Sequence, residues 1–117
     1  MAQTLIVIND PPYGTERAYN ALRLGASLAR QGSAGLHVFL IGDGVTCVKR
    51  GQKVPAGYYN IETMMKAVIQ AGGHVAVCGS CMDARGIGDQ EMVDGAHRGS
   101  MAELTAWTLE ADKVLAF

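Results

Sequence analysis

The sequence predicts an α/β protein: a mainly parallel sheet with helices on both faces. Three observations carry that expectation. Short apolar runs without polar alternation, such as Leu5-Ile6-Val7-Ile8, suit strands covered on both sides. Between them lie segments whose apolar residues recur at helical spacing. Strands and helices alternate along the chain, which gives βαβ units with right-handed crossovers. The 117 residues are enough for one domain with a buried core, spanning 1–117, and leave disulfide staples unnecessary for folding.

The first strand, Leu5–Ile8, stops at the turn cluster "NDPPYG". From Thr15, read as an N-cap, Ala18, Ala21, Leu22, Ala26 and Ala29 mark one face of a helix that ends in the glycines of "RQGSAG". Leu36–Ile41 is a second buried strand. It is closed by "GDG" and followed by one or two helical turns over Val45–Arg50, then by the loop "GQKVPAGYYN". Ile61, Met64, Met65, Val68 and Ile69 fall at i, i+3, i+4, i+7 and i+8 of a helix stopped by Gly72-Gly73. Val75–Val77 is the third strand. Residues 91–97 are ambiguous, with a short strand expected around Met92-Val93. Ser100 caps a last helix through Glu110, and Lys113–Phe117 closes the chain as a strand. That last helix carries Met101, Ala102, Leu104, Ala106, Trp107, Leu109 and Ala111 nearly all around its circumference. It is therefore either deeply buried or covered on one side by another subunit.

A formal net charge of -1, from 10 basic and 11 acidic residues, provides no electrostatic footprint for nucleic acid or for a membrane surface. The N-terminus has no basic region, and its apolar run is too short for a signal peptide or a spanning helix, so a cytoplasmic protein is expected. Three cysteines in such a setting are expected to be reduced thiols.

Two of them stand together in "HVAVCGSCMDARGIG". Cys78 ends a buried strand, at the carboxyl edge of the sheet where ligands and reacting groups gather in α/β proteins. Main-chain N–H groups of the following turn can stabilise a thiolate there, and Arg85 is near enough in sequence to add positive charge. Gly79 leaves the sulfur open to approach. The competing reading is a buried structural cysteine. A zinc clip is disfavoured: C-x-x-C supplies two of about four ligands, and neither His74 nor His97 lies at finger spacing. A thioredoxin-like dithiol stays open, although Gly79-Ser80 lacks the proline frequent between such cysteines.

Other residues are expected at the same edge. Cys47, beside Lys49 and Arg50, follows the second strand and is either a site thiol or apolar filler. Asn9 and Tyr13 follow the first strand and can offer hydrogen bonds, with the helix start at Thr15 as an anion site. Asp83 joins the candidate contacts from within the cysteine segment. No glycine-rich phosphate cradle, dinucleotide fingerprint or Ser-His-Asp motif occurs.

The segments "PPYGTERAYNALRLG", "DGVTCVKRGQ", "GYYNIETM", "CGSCMDARGI" and "DGAHRGSMAELTAWTLEADKVLAF", taken in order, resemble the DsrE/DsrF-like family, and within it the small YchN-type members. The resemblance runs from the first strand to Phe117. It implies a three-layer α/β/α fold, a mainly parallel sheet of about five strands, and assembly into trimers or hexamers. It also implies a sulfur-relay or sulfurtransferase-like role in which one cysteine of this loop carries sulfur as a persulfide. Spacing to the following Arg-Gly-hydrophobic element puts that role on Cys78, with Arg85 and Gly86 carried along. Cys81 belongs to the YchN-type pattern and is absent from the relay subunits, so it is expected to resolve or protect the persulfide. With the residues read from the sheet edge, the expected site is Cys78, Cys81 and Arg85, with Asn9, Tyr13, Cys47, Gly79 and Asp83 contacting substrate or anion. Sulfur donor and acceptor proteins are its expected partners, and no metal or cofactor is expected. The alternatives are a dithiol redox protein using Cys78 and Cys81, or a non-catalytic oligomeric module that binds a small ligand or a protein.

Overall fold

The computed structural model describes residues 2–32 and 35–117. Five strands, β1 (Gln3–Ile8), β2 (Gly35–Leu40), β3 (His74–Cys78), β4 (Ala96–Gly99) and β5 (Lys113–Ala116), form one sheet in the order β4-β3-β2-β1-β5. Every pairing is parallel. Among the described residues four α-helices accompany them: α1 (Arg17–Arg30), α2 (Ile61–Gln70), α3 (Gly79–Ala84) and α4 (Met101–Glu110). No helix is long and apolar enough to cross a membrane among the described residues.

The uninterrupted apolar runs are buried on both faces, as their composition requires. Leu5, Ile6 and Ile8 of β1, and Val38, Phe39 and Leu40 of β2, are at most 1% exposed. Each such side chain contributes about 1.5–3 kcal/mol through loss of contact with water. One face of the sheet takes α1 and α2. Gly25 of α1 brings its backbone close to Ile6, Leu36 and Val68, and α2 buries Ile61, Met65 and Val68 of the expected helical face. Asn60 caps α2, its Oδ1 accepting from Thr63 N at 3.0 Å.

The other face takes α4. The chain steps from β1 through β4 in one direction and then crosses back over to β5 beside β1. A right-handed crossover travelling the opposite way must lie on the opposite face. Trp107 of α4 accordingly meets His37 at 4.5 Å, Phe39 at 6.2 Å and His97 at 6.1 Å between ring centroids. His74 stacks on His37 at 5.0 Å, so all three histidines of the chain gather around one indole. Burial and the neighbouring His74 hold the His37 imidazole below its ordinary range, partly offset by Glu110 and Glu103.

Four expectations need correction. The strand near the end of the chain is Ala96–Gly99, not Met92-Val93. Met92 and Val93 are buried beneath the segment after β2, where Val93 N donates to Val48 O at 2.9 Å and Met92 forms an isolated antiparallel bridge with Lys49. Their apolar character serves that contact and not the sheet. Helix α1 begins at Arg17, with Glu16 and not Thr15 at the N-cap; the Thr15 hydroxyl donates to Asp10 Oδ2 at 2.7 Å and accepts from Arg17 N at 3.4 Å. The turns expected over Val45–Arg50 are a 3-10 helix over Gly42–Val48 that starts almost directly after β2. Finally, α4 is not deeply buried: no residue of it is buried, and Leu109 is 82% exposed. Its Ser100 cap is present, with Oγ accepting from Glu103 N at 3.2 Å.

Candidate functional site

Four connections leave the carboxyl edge of the sheet among the described residues, and three of them build the site: residues 9–16 after β1, the 3-10 helix after β2, and α3 directly after β3. Because β1, β2 and β3 are adjacent and parallel, their ends bring Asn9, Gly42 and Cys78 to one rim. Cys78 is both the last residue of β3 and the N-cap of α3.

The Cys78 sulfur is nearly buried, 7% exposed, and lies 3.4 Å from Ser80 Oγ. Burial pushes its thiol up. The Cys81 and Ser80 side chains and the N–H groups at the start of α3 favour the thiolate, outweigh burial and hold it below its ordinary value. Cys81 shifts the other way: burial and the hydrogen bond to Cys78 push it up, against the Gly42 N–H and the Arg85 charge. Gly42 N donates to Cys81 Sγ at 3.3 Å. The pair is thus polarised, the thiolate favoured at Cys78 and the thiol at Cys81.

Arg85 is brought to Cys81 and not to Cys78. Its Nη1 donates to Cys81 O at 3.1 Å, while Nε and Nη2 donate to Asp43 Oδ1 at 3.1 and 2.8 Å. This corrects the expectation that Arg85 stabilises the Cys78 anion: a carboxylate on the 3-10 helix claims the guanidinium. The first two residues of that helix therefore serve the site differently, Gly42 donating to the Cys81 sulfur and Asp43 anchoring the arginine that caps α3.

The remaining candidates divide. Gly79 lies beneath a guanidinium, since a Cβ there would stand 2.8 Å from Arg98 Nε. Asp83 accepts from Arg98 Nη2 at 2.6 Å, and Asp89 from Nη1 at 3.3 Å, so Asp83 fastens α3 to β4. Asn9 is spent on the chain's last residue: its N and Nδ2 both donate to Phe117 O, at 2.9 and 3.2 Å. Tyr13 donates to Gln52 Oε1 at 2.7 Å and accepts from Ile61 N at 3.1 Å. Cys47 is fully buried, its Sγ 3.4 Å from Asp10 O; burial and the Asp10 charge push its thiol up to about 12. A thiol held there stays neutral, so of its two readings the structure favours apolar filler.

Sequence reasoning missed Gly42, Asp43, Ser80 and Arg98. For Ser80 and Gly42 a signal existed. Ser80 stands between the two cysteines, and "GDG" directly follows a buried strand whose end must share the rim with Cys78. Asp43 and Arg98 act over 42 and 15 residues of chain, a reach that only the folded sheet supplies. Among the described residues, no three His, Cys, Asp or Glu side chains gather as metal ligands.

Comparison with known proteins places this geometry. A model of the DsrE/DsrF-like family matches residues 2–117. Protein YchN of Escherichia coli (strain K12) is 43% identical over 118 residues, covering 100% of both chains. An uncharacterized protein of Methanopyrus kandleri is 37% identical over 112 residues, covering 96% of this chain and 91% of its own. The crystal structure of the E. coli ychN protein superposes with a TM-score of 0.94 at 42% identity, over 100% of each chain. A protein of unknown function from Methanobacterium thermoautotrophicum shares the fold, with a TM-score of 0.82 at 12% identity and 100% coverage of both.

Proposed function

Because the chain belongs to the DsrE/DsrF-like family, which is associated with sulfur relay, we propose that it accepts sulfur as a persulfide on Cys78 and passes it on. The observation that carries this reading is the placement of Cys78 at the start of α3 on the sheet rim, with Ser80 Oγ 3.4 Å from its sulfur and Cys81 one turn on, surroundings that favour the thiolate. In the first step the Cys78 thiolate attacks the outer sulfur of a donor protein's persulfide. A new S–S bond forms at Cys78, the donor's S–S bond breaks, and the donor leaves as a thiolate with no net oxidation. In the second step an acceptor protein's thiolate attacks the outer sulfur of the Cys78 persulfide and returns Cys78 to its starting state. The same amides that favour the thiolate stabilise each sulfur anion as it forms. A cytoplasmic setting, where thiols stay reduced, suits this cycle.

Cys81 favours a second reading, because its thiol hydrogen-bonds Cys78. Its thiolate can attack the inner sulfur of a Cys78 persulfide, forming a Cys78–Cys81 disulfide and releasing sulfide, after which an external thiol must reduce the disulfide. Incubation with a small persulfide donor, followed by intact-mass spectrometry, separates the two. Relay predicts one added sulfur that persists in the wild-type chain and disappears in Cys78→Ala. Resolution predicts a loss of two hydrogens in the wild-type chain and a persistent added sulfur only in Cys81→Ala. A folded wild-type chain that does neither overturns both.

We also infer that the protein works as a homo-oligomer, a trimer or hexamer. Support comes from α4 and β5, where Met101, Leu109, Val114 and Leu115 are 61, 82, 47 and 37% exposed on a single chain. Large apolar side chains left exposed on a terminal helix and the edge strand suit an interaction with another copy. Sedimentation at micromolar concentration should give the oligomer for the wild-type chain, and Leu109→Glu should shift it toward monomer with its circular dichroism unchanged. A wild-type monomer under those conditions overturns the inference.

A further inference from the structure

All four tyrosines of the chain converge outside the cysteine site, where the loop following the 3-10 helix meets the connection after β1. The Tyr59 ring stacks on Tyr19 at 4.3 Å and on Tyr13 at 5.8 Å, with interplanar angles of 28° and 24°. On the outer side of this column lies a cavity of about 360 Å³, walled by Tyr13, Lys53, Val54, Pro55, Tyr58 and Tyr59. That volume is within the range of pockets that hold small molecules.

The loop forming the cavity is tied down more thoroughly than its glycines and proline suggest. Every polar group of Gln52 is engaged. Its N donates to Glu62 Oε1 at 2.9 Å, and its O accepts from Asn60 Nδ2 at 3.0 Å. Its Oε1 accepts from Tyr13 at 2.7 Å, and its Nε2 donates to Cys47 O and Lys49 O at 3.1 and 2.9 Å. Tyr13, the wall residue bonded to Gln52, and the loop entry beside it therefore need little ordering when a ligand arrives, which lowers the entropic cost of binding.

Despite that order, Tyr58 remains 71% exposed, an unusual position for a large aromatic ring with nothing against it. The walls present ring faces and aliphatic surface, with a single charge, the exposed Lys53, and no carboxylate. Flat faces select a flat partner, and an uncompensated cation selects an anion. We propose that this cavity binds a small planar aromatic molecule carrying an anionic group, its ring against the exposed face of Tyr58 and its charge at Lys53 Nζ. The site is independent of the chemistry at Cys78.

Naphthoate tests it, with naphthalenemethanol as the uncharged control and cyclohexanecarboxylate as the non-planar one. Calorimetry on the full chain should show one saturable naphthoate site per chain, with both controls roughly tenfold weaker or more. Lys53→Gln should weaken naphthoate roughly tenfold and erase its advantage over naphthalenemethanol, and Tyr58→Ala should weaken it by a similar factor. Both residues are exposed, so the fold tolerates the changes. In NMR spectra the tyrosine ring signals should move and the Trp107 indole signal should not, which separates this cavity from the apolar face of α4. The proposal is overturned by an absence of saturable binding, by binding that neither variant weakens, or by shifts at Trp107 in place of the tyrosines.

Discussion

Iodoacetamide at neutral pH should modify Cys78 at least roughly a hundredfold faster than Cys47 while the chain is folded. The thiolate is the reacting species, and the two sulfurs differ in how much of it they hold. Cys47 is fully buried with its thiol pushed up to about 12, so at pH 7 only about one molecule in 10⁵ carries the thiolate. Cys78 is held below the ordinary thiol value by Ser80 and Cys81. Its alkylation rate should rise with pH and level off at a lower pH than in the unfolded chain, because a depressed midpoint means the thiolate forms earlier. Cys81→Ala removes a donor to that sulfur and should move the levelling-off upward. Peptide mapping after timed alkylation reads all three cysteines at once. Equal rates at Cys47 and Cys78, or a faster Cys81, would remove the basis for a Cys78 nucleophile.

What the sequence could reveal depended on how local each cause is. Strands β1 and β2 are legible because their burial is written in consecutive residues, and α2 because Ile61, Met65 and Val68 repeat at its own period. Strand β4 reads "AHRG", with one apolar residue, and is a strand only because β3 offers it a parallel partner from Val75 to Cys78. No local preference encodes that pairing. The over-apolar α4 was legible as an anomaly, and its exposure shows that the anomaly is not relieved within one chain.

The site follows the same rule. The spacing of Cys78 and Cys81 and the position at a strand end were visible, because both are properties of a few consecutive residues. The destination of Arg85 was not, because proximity in sequence to Cys78 says nothing about Asp43, which reaches it across the sheet edge. Cys47 looked equivalent to Cys78 by strand position, yet its side chain points into the core beneath the first loop. Strand-end position selects a rim; the direction of the side chain decides whether a thiol there can react.

Gly44→Ala should destabilise the protein by about 3 kcal/mol or more, lowering the thermal midpoint by roughly ten degrees. A Cβ at Gly44 would stand 2.1 Å from Ile8 O and 2.8 Å from Ile8 C, and both obstacles are backbone of a central strand. That carbonyl also accepts from Ile41 N at 3.1 Å, so it cannot swing away without breaking the junction between β2 and the 3-10 helix. Gly42→Ala is the control. Gly42 has φ of +59° with nothing within 4 Å of a Cβ, so the cost is conformational alone, about 1 kcal/mol. The two glycines sit two residues apart and fail for different physical reasons, collision and backbone strain. Relief of the Gly44 collision requires the 3-10 helix to lift from the edge of β1, carrying the Gly42 N–H away from Cys81 Sγ and Asp43 away from Arg85. At temperatures where Gly44→Ala remains folded, the Cys81 thiol should therefore lose the donor that opposes its upward shift, and its alkylation should slow relative to Cys78. Equal thermal losses for the two variants would mean that the helix is not seated on Ile8 as tightly as the 2.1 Å approach requires.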